Sequence, residues 1–172
     1  MMYLIYLFIY TFILSLVLPI FWNSASIFFY VPFLVICFYR TKFTHALWWA
    51  LICGFFVDLF SVHTRLGNTS LVYCLTTFIL YRLKFRFFED GFSTFPVLTY
   101  VFVSLSTLML GLLYRIIDIH WLVFSWDWIQ NDLIILPLKD SLFALFFYTI
   151  PLFLINQRYF SFIFHKRRRR SR

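Results

Sequence analysis

The chain has 172 residues, of which 63% are hydrophobic and only 13% are charged, and its formal net charge is +8. A soluble globular domain carries about 25% charged residues, so this composition excludes such a domain and indicates a membrane protein. We therefore expect one domain, in which nearly all residues belong to membrane spans and short connections.

Apolar runs alternate with short polar connections, and they predict an all-α, polytopic membrane bundle of six transmembrane helices. A helix of about 20 residues crosses the ~30 Å hydrocarbon layer of a bilayer. The predicted helices cover about residues 3–21, 27–39, 43–62, 67–83, 95–117 and 133–156. Residues 1–157 then form the transmembrane domain, and residues 158–172 form a basic cytoplasmic tail.

Three of these segments depart from a simple apolar span. The first has neither a basic n-region nor a small-x-small cleavage site, so we interpret it as a transmembrane helix rather than a signal peptide. The second is short, and Pro32 is expected to interrupt and kink it, because proline removes a backbone donor. Residues 118–132 combine three tryptophans with acids, which is typical of a membrane–water interface rather than of a span.

The basic residues predict which ends of the helices face the cytoplasm, because Lys and Arg accumulate on that side of a membrane protein. Twelve of the fifteen fall on one side, at Arg40, Lys42, Arg82, Lys84, Arg86, Arg158, Lys166, Arg167, Arg168, Arg169, Arg170 and Arg172. The opposite side has Arg65 and Arg115, and Lys139 lies inside the last helix. Both termini are therefore expected to be cytoplasmic in a multi-pass membrane protein.

The third predicted helix carries small residues and one acid at a spacing of four. Ala46, Ala50, Gly54 and Asp58 fall on one face of this helix. Small residues at this spacing let helix backbones approach closely in a membrane. We therefore predict that Ala50 and Gly54 pack against another helix, that Gly54→Leu is disruptive and that Gly54→Ala is mild.

Asp58 lies inside an apolar run, and two interpretations of it stand. An ionisable residue at membrane depth is a functional candidate by default; alternatively, Asp58 is a structural acid that a neighbouring helix satisfies. Lys139 lies about 9 Å inside the outer end of the last helix and Asp58 about 6 Å inside that of the third, at 1.5 Å per residue. We predict a buried ion pair between Asp58 and Lys139, with Arg65 as an alternative partner nearer the surface.

The sequence shows no residue pattern for catalysis, for cofactor binding or for metal binding. The carboxylates at membrane depth are Asp58 and Asp140, and the four histidines occur singly. The three cysteines lie in apolar runs without metal-ligand spacing. We therefore expect that the chain is not an enzyme and that it uses no cofactor.

The tail carries a cluster of basic residues directly after an aromatic segment. The cluster consists of Lys166, Arg167, Arg168, Arg169 and Arg170. A basic residue beside a membrane gains roughly 1 kcal/mol from an anionic inner leaflet. We expect the tail to bind anionic lipid, with docking of a cytoplasmic protein as the alternative. Nucleic acid is not an expected partner, because the cluster is tied to a membrane end.

The stretch from the third helix into the fourth contains a short motif. It has a glycine, three apolar residues, an aspartate, a polar turn and then Leu-Gly at the start of the next helix, with Gly54, Asp58, Leu66 and Gly67 at the defining positions. This motif, the predicted topology and the chain length resemble the rod shape-determining protein family MreD of bacteria. The turn is one residue longer than the family's pattern, and it has bulkier residues where small ones are common.

The resemblance implies a non-enzymatic, multi-pass component of the cell-elongation machinery in the bacterial cytoplasmic (inner) membrane, which regulates cell shape and lateral peptidoglycan synthesis. Its expected partners are MreC outside the membrane, the actin-like MreB inside, and the glycan polymerase RodA with its transpeptidase. The family's fold is also similar to the S components of energy-coupling-factor vitamin transporters. The alternative is therefore a substrate-binding transporter subunit, which needs a polar pocket; the sequence offers Asp58, Asn68 and Trp121 for it. A scaffold of some other complex is a third possibility.

Overall fold

The computed structural model describes residues 2–21, 28–60, 66–87, 94–117 and 126–151. Over these ranges the protein is helical and contains no β-strand, which confirms the predicted all-α class. The helices are α1 (Met2–Phe21), α2 (Tyr30–Arg40), α3 (Phe43–Phe60), α4 (Asn68–Phe87) and α5 (Thr94–Ile117), followed by a C-terminal helical run over residues 126–151. These helical stretches correspond in order to the six predicted helices.

The C-terminal helical run alternates between α and π geometry. It consists of α6 (Trp126–Trp128), a π-helix (Ile129–Ile135), α7 (Leu136–Ala144) and a second π-helix (Leu145–Thr149). The run begins seven residues before the predicted start at about residue 133, so part of the expected interfacial segment is helical. Pro137, near the start of α7, has no N–H to donate, and the π-helical stretch directly before it accommodates the missing bond.

The short helix α2 lies at the centre of the described bundle. Its first nine residues are all buried, and it packs against α1, α3 and α5. Its 11 residues extend only about 16 Å at 1.5 Å per residue, too short to cross a bilayer alone. The prediction that Pro32 interrupts this helix is wrong. The helix begins at Tyr30, so Pro32 lies in the first turn, where the missing N–H has no helical acceptor in any case.

Aromatic side chains join the first three helices. Phe8 of α1 packs on Phe33 of α2 and on Trp49 of α3, with ring centroids 5.5 Å and 5.3 Å apart. Phe33 and Trp49 also meet edge to face at 5.2 Å. Such pairs add about 0.5–1.5 kcal/mol beyond the burial of their surface. The abundant phenylalanines therefore serve the packing of this part of the core.

Hydrogen bonds connect α1 to the second π-helix. The hydroxyl of Tyr148 donates to Thr11 Oγ1 at 2.8 Å, and the Thr11 hydroxyl donates to the Leu7 carbonyl, also at 2.8 Å. The hydroxyl of Tyr10 lies 3.4 Å from the Phe147 carbonyl oxygen. These hydroxyl groups link α1 to the second π-helix.

Polar side chains lie inside the described bundle, and many large apolar ones lie on its surface. Buried polar residues are Thr11, Asp58, Thr69, Thr76, Thr77, Thr99, Ser106, Asp140 and Thr149. Exposed apolar residues include Tyr6, Ile13, Trp48, Phe55, Leu71, Ile116 and Phe146. Extended apolar surfaces of this kind are rare on soluble monomers, whereas a bilayer covers them.

Within the described ranges, two helices are long and apolar enough to cross a membrane by length and composition. They are Phe43–Phe60 and Thr94–Ile116, of which 28% and 33% are buried inside the protein. A core helix of a soluble protein would be mostly buried, so these values are compatible with the predicted membrane location. Tyr3–Pro19 and Tyr30–Arg40 are apolar helices of shorter length.

Candidate functional site

The small-residue face of α3 is buried against α4. Ala46, Ala50, Gly54 and Asp58 are all buried on this face, as is Cys53. The contact between α3 and α4 is the most extensive one between any two helices of the described chain. Both helices belong to one hairpin, so the partner of the small-residue face is the next helix in sequence.

The backbones of the two helices approach closely at Gly54. A Cβ atom added there would lie 2.7 Å from the Ser70 backbone nitrogen and 3.0 Å from the Thr69 carbonyl carbon, and it would press still closer on Ser70 Cα. These neighbours are backbone atoms of the first turn of α4, which cannot rotate away. We therefore revise the expectation that Gly54→Ala is mild: this substitution should strongly destabilise the packing of α3 against α4.

Asp58 lies one helical turn beyond Gly54 and caps the start of α4. Its carboxylate accepts hydrogen bonds from three backbone N–H groups, those of Gly67 (2.9 Å), Thr69 (3.2 Å) and Ser70 (3.3 Å). The first N–H groups of a helix have no helical acceptor and carry the positive end of its dipole. A side chain of α3 thus performs the function that an N-cap residue usually performs within its own helix.

The chain turns into α4 at Gly67. This residue has a φ angle of +96°, which L side chains rarely adopt, and its carbonyl accepts from Leu71 N–H at 2.9 Å. Glycine has no Cβ and adopts such angles freely. Leu66, directly before it, is 68% exposed. Gly67 therefore determines how the chain enters α4, while the Leu66 side chain points away from the bundle.

We call Gly54, Asp58 and Gly67 together the hairpin clasp. Gly54 allows α4 to approach α3, and Gly67 allows the chain to turn into α4. Asp58 then accepts hydrogen bonds from the N–H groups at the start of α4. The carboxylate is 2% exposed and is occupied by backbone donors. This geometry favours the structural interpretation of Asp58 over a role in substrate chemistry.

The predicted ion pair between Asp58 and Lys139 is not among the contacts of the described residues. Lys139 is exposed on α7, and α7 packs mainly against α5 rather than α3. The Asp58 carboxylate is instead directed at the start of α4. Sequence reasoning looked for an opposite charge, whereas the observed partners are backbone N–H groups. Arg65, the alternative partner, lies outside the described residues.

Asp140 is the second buried carboxylate, at 1% exposure on α7. Its Oδ1 atom accepts from the Phe28 backbone N–H at 3.3 Å, just before α2 begins. Like Asp58, it therefore lies at the start of a neighbouring helix. The sequence analysis named Asp140 only as a carboxylate at membrane depth and gave it no role. The available signal was its place as an acid in an apolar run, the same one that singled out Asp58.

The remaining predicted sites give little to build a chemical site from. Over the described ranges, no group of three or more His, Cys, Asp and Glu side chains could hold a metal ion. Cys37 and Cys53 are buried free thiols, and Cys74 is partly buried. The basic cluster Lys166, Arg167, Arg168, Arg169 and Arg170 lies outside the described residues, as does the boundary proposed between residues 157 and 158.

Comparisons of the chain with protein-family models, with curated proteins and with solved structures gave no match. Function must therefore be inferred from the residues themselves and from their geometry.

Proposed function

We propose that this chain is a non-enzymatic component of the bacterial cell-elongation machinery, similar to MreD, which acts with MreC and MreB in the cytoplasmic membrane. The hairpin clasp is the observation that carries this proposal. Three of the four residues that define the motif are ones on which the α3–α4 junction depends: Gly54 for close approach, Asp58 for three hydrogen bonds and Gly67 for the turn. Three motif residues with linked structural roles support the resemblance more strongly than a match of four residue types in the sequence.

The polarity of the bundle supports a multi-pass location. Apolar side chains cover the outside of the described helices, and polar ones lie within. Together with the positive-inside rule, this supports cytoplasmic termini and an outward-facing α3–α4 turn. The exposed Leu66 would then lie on the side where MreC is expected. Anionic lipid and cytoplasmic partners would meet the basic tail on the opposite side, and RodA with its transpeptidase would belong to the same assembly.

Reporter fusions test the topology. Fusions at the N-terminus, at Gly91 and after Arg172 should all report a cytoplasmic location, because the basic connections lie on one side of the predicted bundle. A fusion within residues 61–65 should report the opposite side. An external signal at Gly91 would contradict the six-helix arrangement.

Depletion in the host tests the function. Loss of the chain should round the cells, and tagged protein should copurify with MreC and MreB; a gene located beside theirs would agree. Complementation should succeed with Lys139→Gln and fail with Asp58→Ala, with immunoblots to report the amount of each protein. Cells that keep their shape but lose uptake of a vitamin would contradict the proposal and favour a transporter subunit.

A further inference from the structure

The two buried aspartates differ in the number of donors around them. Asp58 accepts from three backbone N–H groups, an arrangement that suits the anionic form. Asp140 accepts only from Phe28 N–H, at 3.3 Å, and its Oδ2 atom has no hydrogen-bond partner among the described residues. Burying an ionised carboxylate without such partners is costly. The geometry around Asp140 therefore does not compensate a negative charge.

The Tyr73 hydroxyl is a second buried polar group without a hydrogen-bond partner in the described part of the chain. The Tyr73 side chain lies on α4 and is 0% exposed. The charges of Asp140 and Asp58 both act on this hydroxyl, and Asp140 is the one of the two with an unpartnered carboxyl oxygen. A hydroxyl can both donate and accept, so it is able to bind a carboxyl group in either protonation state.

No buried cation neutralises Asp140 among the side chains that the structure describes. Lys139 is the charged neighbour whose field acts on it, but the Lys139 side chain is exposed. The charged side chains of the adjoining helices, Arg40 on α2 and Arg115 on α5, are also exposed. The other polar group of α2 that could bear on Asp140 is the Tyr30 hydroxyl. It lies 3.2 Å from the Ser15 hydroxyl and so already has a hydrogen-bond partner. Neutralisation by a proton is the remaining chemistry that these surroundings support.

We propose that Asp140 is a proton-binding site and that the Tyr73 hydroxyl is the hydrogen-bond partner of the protonated carboxyl group through one bridging water molecule. Protonation removes the buried charge and turns an acceptor-only group into one that also donates. The proton then lets α7 lie at the start of α2 without a buried charge. Its loss leaves a charge with a single donor and weakens this contact.

Infrared spectroscopy of the purified full-length protein in liposomes tests the proposal. At neutral pH, the parent should show the carbonyl stretch of a protonated carboxylic acid, shifted on exchange into D₂O. Asp140→Asn should lose this band, and Asp58→Asn, the matched buried acid, should keep it. Absence of the band in the parent, or its loss in Asp58→Asn instead, would overturn the assignment to Asp140.

Tyr73→Phe tests the partner without removing the carboxyl group, so the test stands even if Asp140→Asn does not fold. The band should move to higher frequency, because the carboxyl group loses a hydrogen bond. An unmoved band would refute the pairing with Tyr73. Thermal unfolding adds a separate readout: Asp140→Asn replaces one neutral group by another of the same shape, so its midpoint should stay near that of the parent. A large drop would contradict a neutral Asp140.

Discussion

Replacing Gly54 by alanine is expected to destabilise the protein by about 1–3 kcal/mol, the usual cost of an extra carbon in a packed interface. The new Cβ would meet the backbone nitrogen of Ser70 at 2.7 Å. A helix backbone moves only as a body, so α4 would have to separate from α3, and the hydrogen bonds of Asp58 would lengthen with it. Gly54→Leu, with three further carbons, should prevent the hairpin from forming. The free energy of unfolding in detergent measures both effects.

Control variants separate this steric effect from other causes. Ser70→Ala, added to Gly54→Ala, should restore no stability, because the clash involves the Ser70 backbone. Gly67→Ala should cost about 1–2 kcal/mol through its backbone angle alone, since its Cβ would meet no atom within 4 Å. Leu51→Ala, on the exposed side of α3, should be nearly neutral. If Gly54→Ala behaves like Leu51→Ala, α3 and α4 do not approach closely at this position.

The α3 face was predictable because its signal is local. A spacing of four residues determines which side chains share a helix face, whatever the rest of the chain does. The partners of Asp58 were not predictable in the same way, because every residue carries a backbone N–H. Only the path of the chain through Gly67 brings the free N–H groups of α4 to the carboxylate.

The central position of α2 could not be read from its composition. Lipid tails are as apolar as leucine, so a lipid-facing helix and an enclosed one have similar sequences. Pro32 illustrates the same limit: its effect depends on where α2 begins, and the structure places that start at Tyr30. The π-helical stretches around α7 likewise follow from packing and from Pro137, and no residue period in the sequence marks them.

Asp58→Ala is expected to cost about 3 kcal/mol or more, because unsatisfied buried donors cost about 1–3 kcal/mol each. The N–H of Thr69 is buried, and those of Gly67 and Ser70 are partly buried, so water replaces the carboxylate poorly. Asp58→Asn keeps the shape but loses the charge, and its amide nitrogen cannot accept a hydrogen bond. It should cost about 1.5–3 kcal/mol, the range for hydrogen bonds to a charged group.

Lys139→Gln decides between a helix cap and an ion pair as the role of Asp58. This substitution removes the charge of the predicted partner but no hydrogen bond of the cap. The free energy of unfolding of the variant should therefore stay within about 0.5 kcal/mol of the parent's. Combined with Asp58→Asn, its effect should add within about 0.3–0.5 kcal/mol, whereas an ion pair would make the double variant less harmful than the sum. Hydrogen exchange gives a local readout. The Thr69 and Ser70 amides should exchange faster than in the parent in Asp58→Asn, and at the parent's rate in Lys139→Gln. Parent-like protection of both amides in Asp58→Asn would show that another group caps α4.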